Sequence, residues 1–309
     1  MFDIAVIIIN YNSSKLTKEC VESILEKTAE NLSFQIIVVD NCSEKEDYIF
    51  LKTFCESHYF QNLQLIRSKI NTGFGGGNMM GYQFANAKYI AFVNNDTLVL
   101  NDCLSILKSA IEKDSAIAMV GGQSYSENGE RMVAFDHFAS ISKEIFGRDF
   151  LEKINPTKYP KRKIEYTNPI KVNYVQGSFI FIRAIDFNNV GGFDTNIFLY
   201  YEETDLSKRL KRIGKSCYLI PEAKYIHYHG ASTPQNITIK TELKISLLYI
   251  IRKHYGFGSF YFMLNYLRIN YIISTLFKPK YGYLLKVLLA GAPLSKSLKT
   301  KQVIKEVEQ

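Results

Sequence analysis

No two of the five cysteines, Cys20, Cys42, Cys55, Cys103 and Cys217, are spaced as C-x-x-C. Their odd number and wide scatter suggest neither a disulfide framework nor a zinc ribbon, and a reducing cytoplasm fits them best. The amino terminus passes from "MFD" straight into the strand-like "IAVIII" with no basic n-region or cleavage site, so nothing marks it for secretion. No internal repeat and no low-complexity linker divides the chain. The phosphate-binding pattern G-x-x-x-x-G-K-[ST] is missing, and so is the dinucleotide fingerprint G-x-G-x-x-G. The longest apolar stretch, 254–277, approaches membrane-span length but contains Arg268 with Asn265 and Asn270 nearby. A central arginine costs ~2.5–3.5 kcal/mol on insertion scales, which argues against a spanning helix.

What is present is a 309-residue chain with 47% apolar residues, enough for one large domain with an appendage. Its net charge of +8 is localised. Residues 238–309 carry 12 Lys/Arg against Glu242, Glu306 and Glu308, or +9, leaving −1 for the remainder. Tyrosines and phenylalanines interleave with this charge, followed by Lys278 and Lys280. The pattern predicts interfacial helices at an anionic membrane surface, with a helical cap on the main domain as the alternative. The basic residues belong to no nucleic-acid reader motif, and no nucleic-acid partner is expected. The expected division is therefore a main domain over 1–237 and a helical segment over 238–309.

Apolar, β-branched runs at 4–9, 34–40, 63–66, 89–93 and 116–121 read as buried strands, with helical patterns between them. Ser13 or Ser14 can cap a helix whose Leu16, Cys20, Val21, Ile24 and Leu25 share a face. This alternation predicts an α/β domain with its ligand beyond the carboxyl ends of the strands. Three polar clusters, "NYNSS" (10–14), "DNCSEKED" (40–47) and "NNDT" (94–97), all follow strands and point to one cleft. Residues 123–171, with an Asn128-Gly129 turn and the basic "KYPKRK", carry no recognisable chemistry; a further strand begins at 174.

The segment "NTGFGGGN" (71–78) places Gly73, Gly75, Gly76 and Gly77 together, a composition that permits positive φ and close approach of backbone to a ligand. Asn71 and Asn78 can hydrogen-bond sugar hydroxyls or brace the turn. In "YYEETDLSKRLKRIG", Leu206, Leu210 and Ile213 recur at helical spacing and Gly214 suits the position after the helix, so Glu202, Glu203 and Asp205 stand at a helix amino terminus. Acids there either complement the helix dipole or act on a substrate.

Seven segments carry a resemblance: "VIIINYN", "VVDNCS", "NTGFGGGN", "FVNNDT", "QGSFIFIR", "VGGFDTNIFLYYEETDL" and "IPEAKYIHYHGAS". Their order and spacing over residues 4–232 resemble family 2 glycosyltransferases, in particular the rhamnosyltransferase-like branch. The resemblance implies a GT-A fold, Rossmann-like, holding a nucleotide-sugar at the strand ends, with Mn²⁺ or Mg²⁺ on the diphosphate. It implies donor contacts from Asn10, Asn12, Asn71, Gly73, Phe74, Gly75, Gly76, Asn78, Asn94 and Asn95, with the glycine loop covering the nucleotide. Asp40 would accept the imino N–H of the base. "NND" stands in place of the D-x-D-type motif, making Asp96 the metal ligand and leaving fewer charges in the site than in relatives with an acid at the first position. His227 matches the family's metal-binding histidine, with His229 as a substitute, and histidine favours manganese somewhat. Glu203 falls where the family places its catalytic base, a glutamate where aspartate is usual, and is favoured over Glu202. Gly191 and Gly192 would let backbone approach the acceptor.

The implied reaction is inverting: Glu203 takes a proton from an acceptor hydroxyl, whose oxygen attacks the anomeric carbon as the diphosphate departs from the opposite face. The donor expected from the resemblance is dTDP-rhamnose or a UDP-sugar. The acceptor is a glycan carried on a polyprenyl diphosphate at the inner face of a bacterial cell membrane, in capsule or O-antigen synthesis. The softened "NND" and "EET" motifs leave a non-catalytic binding or assembly subunit as the alternative.

Overall fold

The computed structural model describes residues 1–228 and 236–305. Along the first half run β1 (Phe2–Asn10), α1 (Ser14–Lys27), β2 (Phe34–Asp40), α2 (Lys45–Ser57), β3 (Leu63–Arg67), α3 (Gly73–Tyr82), β4 (Ala87–Asn94), β5 (Thr97–Val99), α4 (Cys103–Glu112) and β6 (Ile117–Tyr125). There follow β7 (Phe135–Asp136), α5 (Ile141–Phe146), α6 (Arg148–Ile154), β8 (Ile170–Val172), β9 (Tyr174–Val175), β10 (Phe179–Arg183), α7 (Ala184–Asn189), α8 (Glu202–Arg212) and β11 (Ser216–His227). Helices α9 (Ile237–Phe277) and α10 (Gly282–Leu289) complete the order, with 3₁₀ turns after each.

Among the described residues the main sheet has the order β3-β2-β1-β4-β10-β6-β11-β5, with β8 on β11. Strands β3, β2, β1 and β4 are mutually parallel, and β10 runs antiparallel between β4 and β6. Both faces of the parallel half are covered, which is why these strands read as continuous apolar runs. The two-residue alternation divides β1 between two cores. Ile4, Val6 and Ile8 pack toward Cys20, Val21 and Ile24 of α1 and Leu104 and Leu107 of α4. Ala5 and Ile7 pack on the other side, in the core that includes Phe187, Phe193, Leu206 and Leu210. The GT-A-like α/β fold expected from the sequence is the fold observed, with its C-terminal helices. The expected strand from 174 is divided, Gly177 separating β9 from β10. Helix α1 begins where expected, but Ser13 makes no side-chain cap; Asp47 of α2 accepts from Ser14 N at 2.9 Å instead.

The glycine run forms no loop. Gly73–Tyr82 is a helix, and its small residues serve packing of the chain on itself. A Cβ on Gly81 would come 2.6 Å from Ile7 and 2.9 Å from Val39, and one on Gly77 3.0 Å from Ile9. Gly73 adopts φ +73 with the Phe198 carbonyl where a Cβ would sit, and Phe74 N donates to that carbonyl at 3.0 Å. The glycines thus let α3 lie close on β1 and β2 and take the 193–201 loop against its first turn.

Helix α9 is broken at Gly256, whose φ of +83 and ψ of −179 are not helical. Its two arms fold back as a hairpin: Lys240 Nζ of the first arm lies 5.8 Å from the Tyr271 ring of the second. Ile245, Leu248, Met263, Leu264 and Leu267, with Leu284 and Leu288 of α10, share a third core with Ala139 and Ile197 of the main fold. Arg268, which interrupts the apolar stretch, donates to the Leu288 and Leu289 carbonyls, both at 3.0 Å. Among the described residues no helix is long and apolar enough to cross a membrane.

Candidate functional site

Because β2 and β4 flank β1 and the chain reverses its winding there, a crevice opens at the carboxyl ends of β1 and β4. A cleft of about 340 Å³ occupies it. Ile9, Tyr11, Ser13, Asn41, Asn71, Gly73, Phe74, Asn94, Asn95, Phe198 and Leu199 line it, and Ile239, Leu298 and Gln302 from the C-terminal segment close it. That segment is strapped across the face: Lys305 N donates to Lys69 O at 2.8 Å and Lys305 Nζ pairs with Glu44 at 2.6 Å.

Of the residues singled out for donor contact, Asn71, Gly73, Phe74, Asn94 and Asn95 stand in the cleft wall. Asn95 Nδ2 is fixed by Ser13 Oγ at 2.7 Å and Thr17 Oγ1 at 2.9 Å. Asn10 is fully buried and acts as a bracket, donating to Asp40 at 3.1 Å and Asp47 at 2.8 Å while accepting from Thr17. Asn12 is exposed and accepts from Glu44 N at the start of α2. Gly75 faces Phe193, Gly76 faces Thr72, and Asn78 is buried in α3. Asn41, which the sequence did not single out, is the organising amide: it donates to Asn71 Oδ1 and Gly73 O, both at 3.1 Å, and accepts from Thr72 N at 3.0 Å.

Asp40 lies beneath this wall with no solvent exposure. Burial lifts its carboxyl above the usual range despite bonds from Ser43 and Asn10 and the nearby Arg67, whose Nε is 3.3 Å from Oδ2. Arg67 itself lies over the Tyr48 ring, its Cζ 3.7 Å from the centroid.

Pairing of β5 with β11 sets Thr97 opposite His227, and so brings Asp96 to His227 Nε2 at 3.2 Å. Asp96 is buried, and its Oδ1 has no hydrogen-bond partner among the described residues. A buried carboxylate oxygen facing an imidazole nitrogen suits a divalent cation that takes its remaining ligands from water or phosphate. No group of three or more His, Cys, Asp or Glu side chains forms a metal cluster among the described residues. His229, the alternative ligand, lies outside them.

Near Phe74, at Gly177, comes the start of α8. Tyr200 and Tyr201 precede it with φ of +73 and +71, left-handed geometry that costs ~1–3 kcal/mol per non-glycine residue. This backbone turns Glu202 and Glu203 in different directions. Glu202 is buried, its Oε1 without a hydrogen-bond partner among the described residues, and burial followed by the neighbouring Glu203 charge pushes its carboxyl well up. Glu203 is partly exposed and accepts from Gly177 N at 3.0 Å. Burial raises it too, against the bonds from its own and the Gly177 N–H groups; Asp136 behind it adds to the rise and Lys143 opposes it. A Cβ on Gly177 would fall 2.3 Å from Glu203 Oε1 and 3.3 Å from the Phe74 ring. Only glycine therefore lets the carboxylate rest beside the cleft.

Asp205 and Asp194 are held by the C-terminal helix. Asp205 binds His254 Nε2 at 2.8 Å, Lys253 at 2.7 Å and Arg209 at 2.8 Å; Asp194 binds Lys253 and the Tyr249 hydroxyl, each at 2.7 Å. Burial works against ionisation in both, and these donors outweigh it, leaving both below the usual range. Gly192, expected near the acceptor, abuts Met79 of α3 instead. Residues 131–166 supply a buried ion cluster: Arg148 clasps Asp136 at 2.7 Å, and Arg162 of the basic "KYPKRK" binds Glu152 at 2.6 Å.

A family-wide profile for "Glycosyl transferase family 2" matches residues 5–191, more than half of the chain, which belongs to that family. It is a glycosyltransferase of GT-A fold. It is 28% identical over 258 residues to "Rhamnosyltransferase WbbL" of Escherichia coli K12, covering 80% of this chain and 92% of that one. It is also 28% identical over 102 residues to the "N-acetylglucosaminyl-diphospho-decaprenol L-rhamnosyltransferase" of Mycobacterium tuberculosis, 32% of this chain and 33% of that one. Among solved structures, the mannosyltransferase PcManGT of Pyrobaculum calidifontis with GDP-Man and Mn²⁺ superposes at a TM-score of 0.56, with 13% identity and coverage of 96% and 89%. GalNAc-T7 with UDP, GalNAc and Mn²⁺ gives 0.62 at 13% identity; this chain covers 56% of that longer one and 94% of itself is aligned.

Proposed function

We propose that this glycosyltransferase inverts the anomeric centre of a nucleoside-diphosphate sugar, a dTDP-rhamnose or a UDP-sugar, while transferring it to a glycan on a polyprenyl diphosphate. Two observations support the reading: the buried Asp96–His227 contact follows directly on Asn95 of the cleft wall, and the Glu203 carboxylate meets Gly177 next to the ring of Phe74, another residue of that wall. Asp96 and His227 are the residues that would hold Mn²⁺ or Mg²⁺. Such a cation, when bound, supplies positive charge to the departing diphosphate. Asn71, Asn94 and Asn95 offer amides to the donor, and Asp40 with Arg67 forms the floor near the base. Glu203, its Oε1 fixed by Gly177 N, takes the proton from the acceptor hydroxyl. Relatives named for rhamnosyl transfer, one of them to a diphospho-decaprenol acceptor, support the choice of sugar and carrier.

The acceptor chemistry favours a membrane surface, and the second arm of α9 offers one. Phe262, Ile269, Ile272, Ile273 and Leu276 recur at helical spacing on its outer side, all exposed, with Leu276 and Phe277 at 77% and 78%. This strip would lie in the headgroup boundary, at the cytoplasmic face, where capsule or O-antigen repeat units are built.

A donor panel tests the reading. Thermal shift with and without manganese should single out one nucleotide-sugar, since ligand at ~100 times its dissociation constant stabilises by about 2.7 kcal/mol. Asp96→Ala should abolish the manganese-dependent part of that shift, and His227→Ala should weaken it. A shift that survives Asp96→Ala unchanged would remove Asp96 from the metal site.

A further inference from the structure

A second concavity, of about 450 Å³, lies between the two arms of the α9 hairpin and the turn after it, with Glu144 of α5 in its wall. The sequence motifs do not touch it. Three ammonium groups converge there, from Lys240, Lys244 and Lys278, with Glu144 as the single acid in its lining, for a local charge of +2. Lys240 Nζ is oriented by the Tyr281 hydroxyl at 3.1 Å and lies over that ring and the ring of Tyr271. Lys244 is held in a largely buried position, its side chain 16% exposed, yet its only ion pair among the described residues is a long one, 3.9 Å to Glu144. A cation sunk this far with so distant a counter-charge is under-compensated and favours a further anion.

The groove is not an isolated basic patch. Its remaining wall includes Ile273 and Phe277, which also belong to the exposed apolar strip of α9. The sunken Lys244, the exposed Lys240 and Lys278 and an adjoining apolar lip match the parts of a phospholipid, phosphate and hydrocarbon. Its volume is within the range of small-molecule sites.

We propose that this groove is a binding site for the phosphate headgroup of an anionic phospholipid, with Lys240, Lys244 and Lys278 on the phosphate and Ile273 and Phe277 along the chain. The proposal rests on the membrane-surface reading above and adds to it a discrete site where that reading needs only diffuse charge. It would hold the catalytic domain at one fixed tilt on the bilayer.

Co-sedimentation with vesicles of phosphatidylcholine alone, and of phosphatidylcholine doped with phosphatidylglycerol, separates the cases. Wild-type protein should prefer the doped vesicles. Lys240→Gln/Lys244→Gln should lose that preference by about tenfold or more, whereas Lys280→Gln/Lys286→Gln, removing equal charge from the exposed surface nearby, should lose clearly less. Lys278→Gln, at the exposed rim, should show a partial loss and guards against misfolding of the Lys240→Gln/Lys244→Gln variant, as does an unchanged donor-induced thermal shift in all variants. Equal losses for the two lysine pairs would mean diffuse attraction and overturn the site. Leu276→Ser/Phe277→Ser should weaken binding to both vesicle types; if it does so while the lysine pairs have no effect, the membrane reading stands and the groove falls. Failure of wild-type protein to sediment with either vesicle overturns both. Soluble inorganic phosphate should leave the wild-type melting temperature unmoved; a shift with phosphate that Lys240→Gln/Lys244→Gln abolishes, without vesicle preference, would make it a soluble-anion site and overturn the lipid assignment.

Discussion

Glu202 and Glu203 are sequence neighbours in contrasting surroundings, and the contrast separates their expected behaviour. Glu203→Gln keeps shape and one acceptor oxygen but removes the base, so transfer should fall by ~10²–10⁴-fold with donor affinity little changed. A base must be ionised to act, and burial has raised Glu203; the acid limb of the kcat/KM profile should therefore lie above the ordinary glutamate value of ~4.3. Glu202→Gln should leave turnover near normal. Its effect should appear in stability instead. Because the folded state raises the Glu202 carboxyl above its unfolded value, the folded state binds the extra proton, and the stability this contributes is lost as pH rises through the folded-state value. Glu202→Gln should accordingly raise the melting temperature more at alkaline than at acidic pH. Loss of turnover in Glu202→Gln with Glu203→Gln active would exchange the roles.

At the scale of elements, α3 shows why a glycine-rich stretch can be a helix. Local propensity argues against it, each glycine costing ~0.5–1 kcal/mol relative to alanine, but the close approach of α3 to β1 decides the matter. Gly81→Ala would gain that propensity and lose more, since a methyl 2.6 Å from Ile7 overpacks the core at ~1–3 kcal/mol. Gly258→Ala, in α9 with nothing within 4 Å, should instead stabilise by about 0.5–1 kcal/mol. Urea midpoints moving in opposite directions would verify both; a stabilised Gly81→Ala would show that α3 can move away from the sheet. The same competition explains what was legible. Strands β1, β2 and β4 declare themselves because their burial is written in consecutive residues such as "IAVIII" and "FQIIVVD". The Asp96–His227 meeting was legible only through family motifs, for it depends on the β5–β11 register. The left-handed Tyr200–Tyr201 turn, the role of Gly177 beside Glu203 and the amide hub at Asn41 depend on partners distant in sequence, and nothing local to "LYYEE", "VQGS" or "DNCS" marks them.

At the scale of the molecule, the basic C-terminal segment is joined to the helix that carries the candidate base. Asp205 of α8, fully buried, holds Lys253 and His254 of α9 together with Arg209. Arg212 also approaches His254 Nδ1 at 2.9 Å, so the imidazole accepts there and donates from Nε2 to Asp205. Asp205→Asn would leave the partly buried Arg209 without its carboxylate, while Lys253, an exposed residue, keeps Asp194, so the loss should be about 1–3 kcal/mol. Denaturant unfolding should show that loss. A near-neutral result would mean that the shared apolar core, and not the ion network, fastens α9 to the main fold.

The strap that ends in Lys305 gives the cleft a particular thermodynamic character. Lys305 and Glu44 are separated by 261 positions, and Leu298 and Gln302, with Ile239 of α9, complete a wall otherwise built from the first two hundred residues. Closing so long a loop is entropically costly and favours late formation in folding. Segments that dock last with few apolar anchors also open first in the native state, without melting the sheet. Each such opening would unroof the cleft, so a molecule bound there is linked to the docked strap by mass action: donor would suppress local opening, and a loosened strap would weaken donor in equal measure. Amide exchange in residues 294–305 would then report occupancy of a site built largely from the other end of the chain.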